Sequence, residues 1–293
     1  MERTGSSDQE TVLETHGHDP AGPSSSGEGG GGQGVSGRLP GRVTEAFEQL
    51  PGDLETGVLV LCDHASNRMP PEYDSLGLPP GELARHIAWD IGAAGVARRL
   101  AERLNAPAIL TRFSRLLVDP NRGLDDPTLV MRLSDGAVIP GNARIDDAEK
   151  IQRVARFWRP YDEAIAAAID AFLQAGVQPV LVSVHSFTPA WRGVPRPWHA
   201  AVLYDPRDPD FSHAVLDALA REPDLVIGDN EPYRGGLPGD TMDRHGMGRG
   251  LPHVLIELRQ DLVADAAGQA EWAERLERAV RRAMARLSLP ARA

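Results

Sequence analysis

The chain has 293 residues, 41% hydrophobic and 25% charged, ordinary proportions for one large globular domain or two modest ones. Its formal net charge is −11, so the molecule as a whole exerts no pull on phosphate backbones or anionic membranes, and neither kind of partner is expected. The single cysteine, Cys62, excludes an internal disulfide framework and a cysteine-cluster metal site. No apolar run approaches the ~20 residues of a membrane span, and no basic flank with an apolar core opens the chain; a cytoplasmic location is expected.

Residues 1–40 stand apart. Ten of the 30 glycines fall there, beside Ser24, Ser25 and Ser26, and six acids face two arginines. Such a segment cannot bury enough apolar surface to offset its ordering entropy. The expectation is a disordered, acidic Gly/Ser-rich tail over 1–40, followed by a single α/β domain over 41–293. Val58–Cys62 is a short apolar run that predicts a buried strand. Glu82–Asn105 has helical spacing, with Leu83, Ile87, Ile91, Val96, Leu100 and Leu104 on one face. Ile109–Leu110 and Leu116–Val118 are further strand candidates. Asp146–Ala175 predicts a long helix opened by an Asp146/Glu149 capping box and kinked or divided at Pro160. Val180–Val184, Ala200–Tyr204, Leu225–Ile227 and Val254–Ile256 predict strands; Phe211–Arg221 and Glu271–Leu287 predict helices.

Polar residues gather where these strands end. Asp63 and His64 follow the first, Asp119, Asn121 and Arg122 follow Leu116–Val118, and His185 and Ser186 follow the Val180 strand. Asp229 and Asn230 follow the Leu225 strand, and Glu257 ends the Val254 strand. Open α/β sheets bind ligands beyond the carboxyl ends of their strands. Two imidazoles from separate strands suit a mononuclear Zn²⁺ site, with a carboxylate as third ligand and one position left for water. Asp90, among apolar neighbours, is the candidate third ligand; Asp63 and Asn67 are alternatives, and an Asp90–Arg packing pair is the non-metal reading. Glu257 is a candidate general base, or else a salt-bridge partner of Arg259 or Arg244. Arg115, Asn121 and Arg122 form a cluster suited to holding a carboxylate, so a small anionic substrate is expected. The loops Gly228–Tyr233 and Gly239–Gly246 add Asn230 and Tyr233 as candidate substrate contacts and His245 as a candidate proton donor. No phosphate-binding glycine loop, Gly-x-Ser-x-Gly elbow or His-Glu-x-x-His run competes.

Seven blocks now stand in order along the chain: Cys62–Pro70, His86–Gly92, Ser114–Arg122, Val184–Pro189, Asp229–Tyr233, Asp240–Gly246 and Ile256–Leu262. Together they resemble the N-formylglutamate amidohydrolase family. The resemblance implies a three-layer, zinc-carboxypeptidase-like α/β fold with a mostly parallel or mixed sheet and helices on both faces. It implies zinc-dependent hydrolysis of an N-acyl, typically N-formyl, amino-acid amide. His64 and His185 match its metal-binding histidines, Glu257 its catalytic carboxylate, and Asn121–Arg122 a pair that holds the substrate carboxylate. The wider group's His-x-x-Glu ligand pair is here His64-x-x-Asn67, which directs the third-ligand expectation to Asp90. Alternative readings are a deacylase or small-peptide carboxypeptidase with another acidic substrate, and a metal-free binding protein on a decayed hydrolase scaffold. No oligomeric state follows from the sequence.

Overall fold

Val58–Cys62 is apolar throughout because both of its faces are covered; all five residues are at most 1% exposed. In the computed structural model, which describes residues 37–289, this strand lies inside an eight-stranded mixed sheet. Its strands are β1 (Arg42–Val43), β2 (Phe47–Leu50), β3 (Val58–Cys62), β4 (Ala108–Thr111), β5 (Val180–Phe187), β6 (Ala200–Leu203), β7 (Ile227–Asp229) and β8 (His253–Arg259). Their spatial order is β7-β6-β8-β5-β3-β4-β2-β1. β8, β5, β3 and β4 run parallel at the centre; β6 is antiparallel to β8, and β2 to β4. The edge strands β1 and β7 are short, which limits unpaired backbone at both edges.

Six of the helices among the described residues complete the layers: α1 (Ala93–Leu104), α2 (Asp147–Arg153), α3 (Arg159–Gln174), α4 (Asp210–Leu219), α5 (Thr241–His245) and α6 (Ala266–Arg286). Alternation along β3 divides the core. Val58, Val60 and Cys62 pack with apolar residues of α1, α4 and α6. Leu59 and Leu61 pack on the other face with Tyr161, Ile165, Ile169 and Phe172 of α3. On α1 the spacing Val96, Leu100, Leu104 presents one buried stripe to the sheet. The expected three-layer α/β architecture is therefore the observed one. Among the described residues, no helix is long and apolar enough to cross a membrane.

The elements differ from expectation in instructive places. The tail expected over 1–40 lies outside the described residues save for its last four, and there Arg38–Leu39 pairs antiparallel with Gly52–Asp53. Asp146 does cap its helix, accepting from the Glu149 amide at 2.8 Å. A π-turn over Val154–Trp158 stands just before Pro160, whose ring lacks the N–H that a regular ladder needs. Leu116–Val118 is buried but is no strand. Its carbonyls are met by side chains instead, Asn142 Nδ2 at Leu116 and Arg153 Nη1 at Leu117.

The helix expected from Glu82 begins only at Ala93, so Asp90 stands in the turn before α1 rather than on a helix. Gly92 sets this boundary. Its φ is +83°, and a Cβ there would lie 2.2 Å from the Val263 carbonyl oxygen. Gly92→Ala should cost about 2–4 kcal/mol, from left-handed backbone plus backbone collision. Urea denaturation measures this directly; a loss under ~1 kcal/mol would show that the turn tolerates a side chain.

Candidate metal centre and active-site cleft

His64, Asp90 and His185 come from three separate segments and meet at one point. His64 follows β3, Asp90 precedes α1, and His185 lies within β5. One ligand atom from each lies within 4.8 Å of the others, and all three residues are buried. Asp90 Oδ2 is 3.3 Å from His64 Nδ1 and 2.8 Å from His185 Nδ1. The backbone holds this arrangement, because the Asp90 amide donates to the His64 carbonyl at 2.9 Å and the Ser186 amide to Asp90 Oδ2 at 3.3 Å.

The far nitrogen of each imidazole is also committed. His64 Nε2 donates to Asp119 Oδ1 at 2.7 Å, and His185 Nε2 donates to Asp63 Oδ2 at 2.9 Å. A carboxylate accepts but does not donate, so each ring carries a proton on Nε2 and faces Asp90 through Nδ1, the nitrogen left to share a cation with that carboxylate. Asp63 is 1% exposed and accepts from Ser183 Oγ, Tyr161 Oη and Thr241 Oγ1 as well. Burial alone would raise its pKa, but the His185 hydrogen bond and the nearby charges hold it well below the carboxylate range. The same contest at Asp119 is won by Arg115 and His64. Asp119 and Asp90 flank one guanidinium, Arg115, which contacts Asp119 through Nε at 3.1 Å and Nη2 at 2.5 Å and Asp90 through Nη1 at 3.8 Å, while Asp63 adds a third buried carboxylate beside His185. Two nitrogens, one oxygen and an excess of negative charge fit a divalent cation.

Above this trio opens a cleft of ≈ 400 Å³ lined by His64, Asp90, His185, Arg115, Asn121, Arg122, Tyr233 and Glu257, among others. Glu257 lies inside β8, beside His185 in the parallel register, rather than at the strand's end. Its Oε2 is buried without a hydrogen-bond partner. Burial pushes its pKa up to about 7, against the downward pull of His185 and with help from Asp90. It pairs with neither Arg259 nor Arg244, which bind Asp261 and Asp162. Asn121 Oδ1 accepts from the Thr241 amide at 2.9 Å, and Arg122 donates through Nη1 to the Asn121 carbonyl at 3.2 Å.

Two expected site residues stand elsewhere. His245 does not line the cleft; its Nε2 is 2.7 Å from Asp162 Oδ1 on α3. Asn230 is a loop brace in left-handed backbone, accepting on Oδ1 from the amides of Tyr204 and Gly235. Asn67, the alternative ligand, donates to the Leu83 carbonyl. The roles of Asp63 and Asp119 as imidazole partners are the main features that sequence reasoning missed. Their only signal was position, immediately before His64 and immediately before Pro120–Asn121.

The chain is similar to known proteins over most of its length. The family model described as N-formylglutamate amidohydrolase matches residues 56–264. An N-formylglutamate deformylase of Pseudomonas aeruginosa is 27% identical over 251 residues, 76% of this chain and 90% of that protein. A gene product of Agrobacterium tumefaciens, solved by crystallography, aligns with a TM-score of 0.78 and 33% identity over 84% of this chain and 97% of its own. An N-formylglutamate amidohydrolase from Ralstonia eutropha shares the fold at a TM-score of 0.54 and 21% identity, over 84% of this chain and 100% of its own. The matched span takes in the paired histidines, Asp90 and Glu257 alike, and the chain belongs to the N-formylglutamate amidohydrolase family.

Proposed function

We propose that this cleft hydrolyses the amide of an N-formyl amino acid such as N-formylglutamate, with a zinc ion held by His64, Asp90 and His185. The observation that carries the reading is the convergence of these three buried donors with each imidazole oriented by its own carboxylate. Family membership supports the substrate class. When bound, zinc supplies a Lewis acid that polarises an acyl carbonyl and makes a water more acidic.

The chain's own residues supply the rest. Glu257, desolvated and with one oxygen unpartnered, exchanges a proton near neutrality. It takes the proton of the attacking water and returns it to the leaving nitrogen as the C–N bond breaks, giving formate and a free amine. Arg122 and Asn121 hold the α-carboxylate, and Arg115 keeps Asp119, and through it His64, in place. Formate release from N-formyl-L-glutamate, with zinc supplied or removed by a chelator, tests the reading. Turnover that ignores chelation removes the metal; no turnover of any N-formyl amino acid removes the hydrolase.

Glu257→Gln keeps shape and loses the base, so kcat should fall ~10²–10⁴-fold while zinc content stays stoichiometric. Loss of zinc together with activity would make Glu257 a ligand instead. Asp119→Asn leaves all three ligands intact but removes the charge that fixes the His64 ring. Zinc affinity, read by chelator competition, should drop ~10–100-fold. Unchanged affinity would show that the imidazole is oriented without it.

A further inference from the structure

Arg244 does not line the cleft, yet its guanidinium reaches three backbone carbonyls in the two loops that shape it. Nη2 donates to the Pro120 carbonyl at 3.0 Å, and Nη1 donates to those of Arg122, at 3.4 Å, and Gly239. Pro120 and Arg122 flank Asn121, and their segment lies outside any helix or strand. Among the described residues no backbone amide donates to either carbonyl, so side chains must satisfy them. Trp158 is the other donor: its Nε1 meets the Arg122 carbonyl at 3.1 Å, and its ring lies 4.5 Å from the Arg244 guanidinium. Gly239 belongs to the loop that leads to Thr241, whose amide holds Asn121 Oδ1. The two loops touch so closely that a Cβ on Gly239 would lie 2.6 Å from Gly123 Cα. The remaining nitrogen, Nε, donates to Asp162 Oδ1 at 2.9 Å, and His245 Nε2 donates to the same oxygen at 2.7 Å. Burial alone would raise the Asp162 pKa, but His245 and Arg244 hold it below the ordinary value, so the anchor stays an anion.

We infer that Arg244 is a positioning residue: by holding the Pro120 and Arg122 carbonyls against the Gly239 loop, it fixes the backbone from which Asn121 and Arg122 reach into the cleft. The inference rests on the hydrolytic reading above, in which Asn121 and Arg122 take the α-carboxylate, and adds a residue that never touches substrate. The planar fork is what the task requires. Carbonyls from two loops are met by separate nitrogens of one rigid group, whereas a lysine ammonium offers its protons from a single atom. A competing role for Arg244 is a plain ion pair joining α5 to α3 through Asp162. A lysine could keep that pair, so charge-conserving substitution separates the two roles.

The test uses full-length, zinc-loaded protein and two compounds: N-formyl-L-glutamate, and N-formyl-4-aminobutanoate, the same molecule without its α-carboxylate. Arg244→Lys should lower kcat/KM for the first by ~10–100-fold, the scale of a contact displaced by about 1 Å, and chiefly through KM. The second compound should be little affected, because it makes no use of the clamp. In an Arg122→Met background, Arg244→Lys should cost little more, since both act on one interaction. Trp158→Phe keeps a ring beneath the guanidinium and removes one donor to the Arg122 carbonyl; it should give a smaller loss of the same selective kind. Should Arg244→Lys fail to fold, Trp158→Phe, alone and with Arg122→Met, decides the matter. An equal loss on both compounds, losses that multiply in the double variant, or wild-type kinetics in both single variants overturns the proposal. If the wild type turns over no N-formyl compound, the hydrolytic reading fails, and calorimetric binding of L-glutamate against 4-aminobutanoate takes over. The positioning role then stands if L-glutamate binds more tightly and Arg244→Lys removes the difference. It falls if the two bind alike or the variant keeps the difference.

Discussion

Asp63 accepts four hydrogen bonds, from His185 Nε2, Ser183 Oγ, Tyr161 Oη and Thr241 Oγ1. That fills every lone-pair site a carboxylate offers. A buried carboxylate with fewer partners would be a large cost; with all of them it becomes a rigid joint. The donors arrive from β5, α3 and α5, so one side chain pins three separate elements to the end of β3. His64, the next residue, then has a fixed starting point, and His185 a fixed ring orientation. Thr241 extends the joint, since its amide also holds Asn121 Oδ1. The His185 ring and the Asn121 side chain are therefore tied to the same carboxylate, the latter through a single threonine.

The electrostatics of the centre follow from that packing. Burial works against the charged form of His185, yet its hydrogen bonds to Asp63 and Asp90 outweigh it and hold its pKa well up. Asp90 is held low by the same histidines despite its own burial. The negative excess here is a demand for positive charge, which protons on the imidazoles or a divalent cation can meet. Glu257 looks onto this group across the parallel β5–β8 register but shares none of its hydrogen bonds. Its isolation is what lets desolvation dominate its chemistry. Two acids in one cleft thus take opposite characters, one fixed as an anion and one poised near neutrality.

Much of the fold was legible because buried parallel strands announce themselves as unbroken apolar runs. β3 and β5 did so, and the polar residues at their ends gave His64 and His185 directly. Leu116–Val118 had the same composition and misled, because burial there is achieved by side chains meeting the carbonyls, a long-range arrangement with no local trace. The helix expected from Glu82 misled for a related reason: apolar spacing continues through a turn that Gly92 breaks for a contact with Val263, about 170 residues later in the chain. Asp90 stands with the two histidines, as its chemistry suggests, but in a turn rather than on the expected helix. His245 and Asn230 were chosen from loop composition, and only tertiary structure shows the first held by Asp162 and the second by backbone amides. Asp63 and Asp119 stand out in the sequence as strand-end acids, but not as imidazole partners, because an orienting carboxylate and a turn residue are identical in sequence.

β8 lies between β6 and β5, at the middle of the sheet, yet it is the last strand of the chain to be made. Until His253–Arg259 leaves the ribosome, β5 and β6 each present an open edge, and the polypeptide behind them cannot close its core. Glu257, the base of the proposed reaction, arrives on that same strand. Synthesis therefore finishes the sheet and delivers the proposed base in one step, and a chain cut short upstream of residue 253 is left with neither a closed core nor Glu257: a fragment fit for degradation rather than a weakened catalyst.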